Sequence, residues 1–136
     1  MNIRKRWKNR GIMIEEWPGK GEEFRKRWEQ VFADAISPQE KQSIYFDQFL
    51  WHIFSYENLP CLEGKEAMRA FHEMNRVICY LFYQEREETY MLINAENLRA
   101  EGLRNEHDVC VVDPHFMWTH VQTHEDYCGP YFYRKE

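Results

Sequence analysis

The chain has 136 residues, 43% of them hydrophobic, 16% aromatic and 30% charged, with a formal net charge of −5 at pH 7. That length suits one domain over residues 1–136, and folding at this size buries roughly two-thirds of the unfolded chain's surface. So much apolar content excludes a disordered chain, and the longest apolar clusters, near 49–54 and 77–83, are too short for a helical membrane span.

The charge is unevenly spread. Residues 1–10 hold five basic residues and no acidic ones, whereas the remainder holds 13 basic and 23 acidic residues. A body with a net −10 is repelled by a phosphate backbone, so general nucleic-acid binding is not expected. Residues 1–11 read as a basic N-terminal helix or arm. Ile3 and Trp7, spaced i, i+4, would dock it on the body with its basic face solvated. No apolar stretch of signal-peptide length follows, and a cytoplasmic location is expected. The four cysteines form no CxxC pair. Reduced thiols are expected, with Cys79 and Cys110 inside apolar strand-like runs.

In chain order, Ile12–Trp17 predicts a short strand ended by Pro18. Phe24, Trp28, Val31, Phe32 and Ala35 form an apolar stripe that predicts a helix over 21–36. Ser37-Pro38-Gln39-Glu40 has the capping-box pattern with proline at the first helical position, and predicts a short helix over about 38–46. Phe46, Phe49, Leu50, Ile53 and Phe54 also fit a helix. The aromatic density of 49–55 and the Asn58-Leu59-Pro60 break that follows favour a buried strand there.

Gly64–Asn75 predicts another helix, with Ala67, Met68, Phe71 and Met74 inward and Asn75 as a left-handed stop. Val77–Gln84 is apolar on both alternating faces, the mark of a central strand. The polar run Glu85–Glu88 and the return Thr89–Asn94 complete a hairpin. After a helical turn near 95–103, a second hairpin pairs 108–112 with 117–123 across the Asp113-Pro114 turn. Cys128-Gly129-Pro130 bends the chain into an aromatic stub, Tyr131–Tyr133. The expected fold is α+β: a mainly antiparallel sheet of four to six strands with helices packed chiefly on one face.

The residues with chemical potential concentrate in 118–131. His120 and His124 have the His-x3-His spacing of a helical zinc site, but Thr119, Val121 and Thr123 make the segment a strand. Residues four apart on a strand lie about 13 Å from one another, which zinc bonds of roughly 2 Å do not span. No metal and no cofactor is therefore expected. Trp118, His120 and Gln122 would share a sheet face with His124, and Glu125, Tyr127 and Tyr131 would lie near the following turn. Trp118, His120, His124, Glu125, Tyr127 and Tyr131 thus make a candidate binding site at a strand end. A histidine beside carboxylates supplies acid–base chemistry near neutral pH. Against it stands the reading in which His124 merely ties down the strand end. His52 reads as a core histidine, and His72 and His107 as surface residues. No phosphate loop, nucleophile elbow, HExxH or EF-hand pattern occurs.

The segments Phe49–Glu57, Cys61-Leu62-Glu63, Trp118-Thr119, Thr123-His124-Glu125 and Gly129–Phe132 resemble an uncharacterised bacterial domain family common in bacilli, from about residue 12 to the end. That resemblance carries no activity with it. The Asp-rich turn, the Trp-Thr strand and the Thr-His-Glu ending also resemble small bacterial proteins that include toxin-neutralising immunity proteins. Two expectations follow. The first is a non-enzymatic module that binds a protein partner through an aromatic, acidic face. The second is a small enzyme or ligand-binding protein with its site around His124.

Overall fold

The computed structural model describes residues 3–17, 20–44, 50–55, 59–103, 106–124 and 129–135. Among these residues, seven strands form one sheet: β1 (Met13–Glu16), β2 (Leu62–Glu63), β3 (Ile78–Tyr83), β4 (Thr89–Ile93), β5 (Val109–Val112), β6 (Trp118–Gln122) and β7 (Tyr131–Arg134). Their order is β1-β4-β3-β5-β6-β7-β2, and every neighbouring pair is antiparallel. The α+β class and the antiparallel sheet are as expected, and the strand count exceeds the four to six foreseen. The surplus comes from β7 and β2. The aromatic stub is a full strand, β7, and the two-residue β2 pairs with it through Leu62↔Phe132 and Glu63↔Tyr131. A two-residue strand has no alternation to read, so β2 leaves no pattern in the sequence.

Among the described residues, five α-helices accompany the sheet: α1 (Ile3–Lys8), α2 (Gly21–Phe32), α3 (Pro38–Ser43), α4 (His52–Ser55) and α5 (Gly64–Glu73). Two 3₁₀ turns, Ala95–Asn97 and Ala100–Leu103, cross from β4 towards β5. Along α2, Phe24, Trp28 and Phe32 are buried at i, i+4 and i+8. The helix stops at Phe32, and Ala35, assigned to its stripe from sequence, is exposed. The capping box forms as its pattern requires, with Glu40 N donating to Ser37 Oγ at 3.1 Å and Ser37 N to Glu40 Oε1 at 3.3 Å. Strand β2 runs straight into α5 through Gly64, whose φ of +60° is the left-handed corner that glycine turns without penalty.

The sheet buries both faces. Cys79, Leu81, Tyr83, Leu92, Val109, Val111, Trp118 and Phe132 point one way, into a cluster completed by Trp7 of α1 and Ala67 and Phe71 of α5. Phe82, Cys110, Val112, Val121 and Tyr131 point the other way, into a cluster with Phe24, Trp28 and Phe32 of α2 and Ile53 and Phe54 of α4. Helices therefore supply both faces rather than chiefly one. A fully apolar strand such as β5, buried at all four positions, needs cover on both sides.

Two local expectations are corrected. Within 49–55 there is no strand among the described residues: Leu50 and Trp51 lie in a turn, and His52–Ser55 is helical. Tertiary bonds hold this segment, since Leu50 N donates to Gln84 Oε1 at 2.8 Å and Trp51 Nε1 to Asp108 Oδ1 at 2.8 Å. Asn75 is not left-handed. Helix α5 leaves through an extended Met74, and the Asn75 side chain accepts from Val77 N at 3.2 Å. Among the described residues, the non-glycine residues with positive φ are Asn94, Asp108 and Phe116. Cys61, Cys79 and Cys110 are free thiols, and burial pushes Cys79 up to about 12. Cys128 lies outside the described residues.

Candidate functional site

Three strand ends meet at one end of the sheet: the close of β3, the start of β5 and the close of β6. The registers Tyr83↔Val109 and Val109↔Gln122 set Asp108 one step beyond the ladder. Gln84 N donates to its carbonyl at 2.8 Å. Asp108 has φ +55°, a left-handed conformation that aspartate adopts more readily than most residues. This kink aims its carboxylate at three donors. Trp51 Nε1 reaches Oδ1 at 2.8 Å, the His124 amide reaches Oδ1 at 3.1 Å, and His124 Nδ1 lies 2.9 Å from both oxygens. The carboxylate side chain is 10% exposed and the imidazole 33%.

The pair lies on the wall of an open cleft of about 590 Å³ lined by Tyr83, Glu85, Arg86, His107, Asp108 and His124. The cleft's other wall is a braced hairpin loop. Arg86 rests its guanidinium 4.1 Å above the Tyr83 ring and makes a two-toothed contact with Glu88. The Tyr83 hydroxyl donates to Glu106 at 2.6 Å, and burial together with that bond raises its pKa well above the ordinary tyrosine range. From α2, Arg25 Nη1 donates to the carbonyls of Tyr83 and Arg86 at 3.1 and 3.2 Å, and Nη2 to Glu87 at 2.7 Å.

The candidate residues read from sequence do not form one cluster. Trp118 and His120 project to the opposite face, where Phe71 meets their rings at centroid distances of 5.9 and 4.5 Å. His120 is fully buried, and neither ring nitrogen has a hydrogen-bond partner among the described residues. Burial, with the nearby His72 and Arg76 charges, pushes its pKa down to about 3. Tyr131 is buried against Phe54 on the α2 side. His124 does not share the Trp118 face. Strand β6 ends at Gln122, and the chain then turns so that His124 meets Trp51, with ring centroids 5.7 Å apart. Glu125 and Tyr127 lie outside the described residues.

Five lining residues, Tyr83, Glu85, Arg86, His107 and Asp108, form the cleft alongside His124, and none of them is a candidate from sequence. A usable signal for Asp108 existed. Once 108–112 is paired with 117–123, Asp108 must fall beside the strand end that carries His124. Trp51, 57 positions away, offered no such signal. Among the described residues, no group of three or more His, Cys, Asp or Glu side chains gathers to hold a metal ion, and no helix is long and apolar enough to cross a membrane.

The model of the domain of unknown function DUF4275 matches residues 1–132. The chain belongs to the DUF4275 family. The match takes in both hairpins, the first two residues of β7 and the Asp108–His124 cleft, so in this DUF4275 chain the site lies within the family domain. No curated protein and no solved structure matches the chain.

Proposed function

We propose that this DUF4275 chain is a small cytoplasmic bacterial protein that binds a small polar molecule in the 83–124 cleft and moves a proton on it. The observation that carries this reading is the contact of His124 Nδ1 with a nearly buried carboxylate at the wall of a cleft. An ionised carboxylate can only accept, so the ring nitrogen facing it carries the hydrogen and Nε2 carries the lone pair. Asp108 thereby fixes the tautomer and the ring plane, and it stabilises the imidazolium that forms when Nε2 takes a proton. A left-handed backbone and a low-exposure carboxylate are costs, and such costs cluster at working sites.

The reading is tested by screening small polar fragments against ¹⁵N-labelled protein. Fragments should shift the amides of His107, Asp108 and His124. His124→Gln should abolish those shifts while Tm stays within about two degrees of the parent. If no fragment moves these amides, or if the variant melts early and loses nothing else, His124 is only a strand-end tie.

A second reading is a non-enzymatic module that recognises a protein partner, of which toxin neutralisation by an immunity-type protein is one form. An aromatic recognition face does not support it, because Trp7, Trp28, Trp51, Trp118, Tyr83, Tyr90 and Tyr131 are all buried. Aliphatic and methionine surface at the far end of the sheet supports it instead.

A further inference from the structure

The described residues expose five large hydrophobic side chains: Met13, Leu62, Val77, Ile78 and Met117. Val77, Ile78 and Met117 gather at one end of the sheet, where β3 and β6 begin and β7 ends, and Leu62 lies on the edge strand β2 opposite Phe132. That end is opposite the Asp108–His124 cleft. Two hollows lie there, of about 500 and 460 Å³. Val77, Ile78 and Met117 line the first and Leu62 the second, while Met74 and Arg134 line both. The result is a two-lobed apolar groove with a cation at its waist. Contiguous apolar surface of this kind on a well-charged domain marks a contact surface.

The charges around the groove narrow the choice of occupant. The Asp113 carboxylate is occupied, since it accepts from the amides of His115, Met117 and Trp118 at 3.3, 2.6 and 3.0 Å. Lys135 Nζ is likewise held, by Val31 O at 2.6 Å and Asp34 at 3.0 Å. Arg134 is exposed and makes no hydrogen bond or ion pair among the described residues. On a chain whose net charge is −5, the uncommitted charge of this groove is positive. An anionic group flanked by apolar groups fits it on both counts.

We propose that this groove docks a segment of a partner protein in which apolar side chains flank a carboxylate, the apolar anchors filling the two hollows and the carboxylate meeting Arg134. The proposal rests on the second reading above and is independent of the cleft. β2 borders the groove as the last strand of the sheet, so a segment lying there could be extended and run along its outer edge.

The test uses the full chain and a random peptide library displayed on phage. Selection should enrich peptides with an acidic residue between apolar ones. Met117→Asp should weaken the selected peptides by about tenfold or more. Arg134→Glu should turn the selected preference from acidic to basic peptides. Both side chains are exposed, and an unchanged circular dichroism melt confirms that the variants fold. Peptides that bind equally well to both variants would overturn the groove while leaving a partner-binding module intact. No enrichment over the naive library would overturn both. A wild-type dimer in light scattering that Met117→Asp dissolves would assign the groove to a second copy and overturn the proposal.

Discussion

Trp51 and His124 share one acceptor: the indole Nε1 and the imidazole Nδ1 both lie within 2.9 Å of Asp108 Oδ1, with their rings 5.7 Å apart. A turn before a short helix and the end of a strand are thus joined through a single carboxylate. Removing that carboxylate orphans donors on both elements. Asp108→Ala should cost about 2–4 kcal/mol in urea unfolding at pH 7, since an unsatisfied buried donor costs about 1–3 kcal/mol and alanine adds left-handed strain. Asp108→Asn keeps an acceptor and should cost less. Equal losses for the two variants would mean that the acceptor does not matter.

His120 makes stability depend on acid. Its folded pKa, about 3, lies below the ordinary 6.5, so the folded state keeps the ring neutral while the unfolded chain takes a proton. The unfolded state therefore binds more protons, and stability falls as pH drops from 6.5 towards 3, on the order of 1.4 kcal/mol per pH unit at most. His72, lowered chiefly by burial and by Arg99, acts in the same direction. His120→Leu also removes two buried nitrogens that have no hydrogen-bond partner among the described residues. Its stability should change less between pH 6.5 and 4.5 than that of the parent. Parallel stability–pH curves would show that His120 is not the group responsible.

Arg25 braces the 84–88 loop from outside it. Arg25→Met keeps the stem and removes donors to Tyr83 O, Arg86 O and Glu87. The expected loss is about 1–2 kcal/mol, with faster amide exchange at 85–88 than elsewhere. Uniform acceleration across the sheet would place the effect in the core instead.

Gly64→Ala isolates a backbone cost. An added Cβ would meet no atom within 4 Å, so sterics with neighbours contribute nothing. The φ of +60° should nonetheless cost about 1–2 kcal/mol, read as a lower urea midpoint with unchanged slope. A neutral result would mean that the β2–α5 corner relaxes.

Elements specified by neighbours along the chain are legible without the fold. The capping box at Ser37 and Glu40 closes over three residues. The stripe of Phe24, Trp28 and Phe32 is a property of helical pitch, and both hairpins follow from apolar alternation around a short polar turn. In each case the relevant partners lie within a few residues, and side-chain periodicity reports them.

The tertiary structure alone decided the rest. Leu50-Trp51 and His52–Ser55 look equally apolar as strand or helix, and what selects turn and helix is the pair of bonds to Gln84 and Asp108, far away in the chain. His120 and His124 share a residue type and a strand end. One enters the core beneath Phe71 and the other reaches the cleft, because β6 ends between them and Asp108 captures the second. The period of a strand determines which residues share a face only as far as the ladder runs. Beyond its last pair, the position of His124 depends on a carboxylate sixteen residues away that is aimed by its own left-handed backbone.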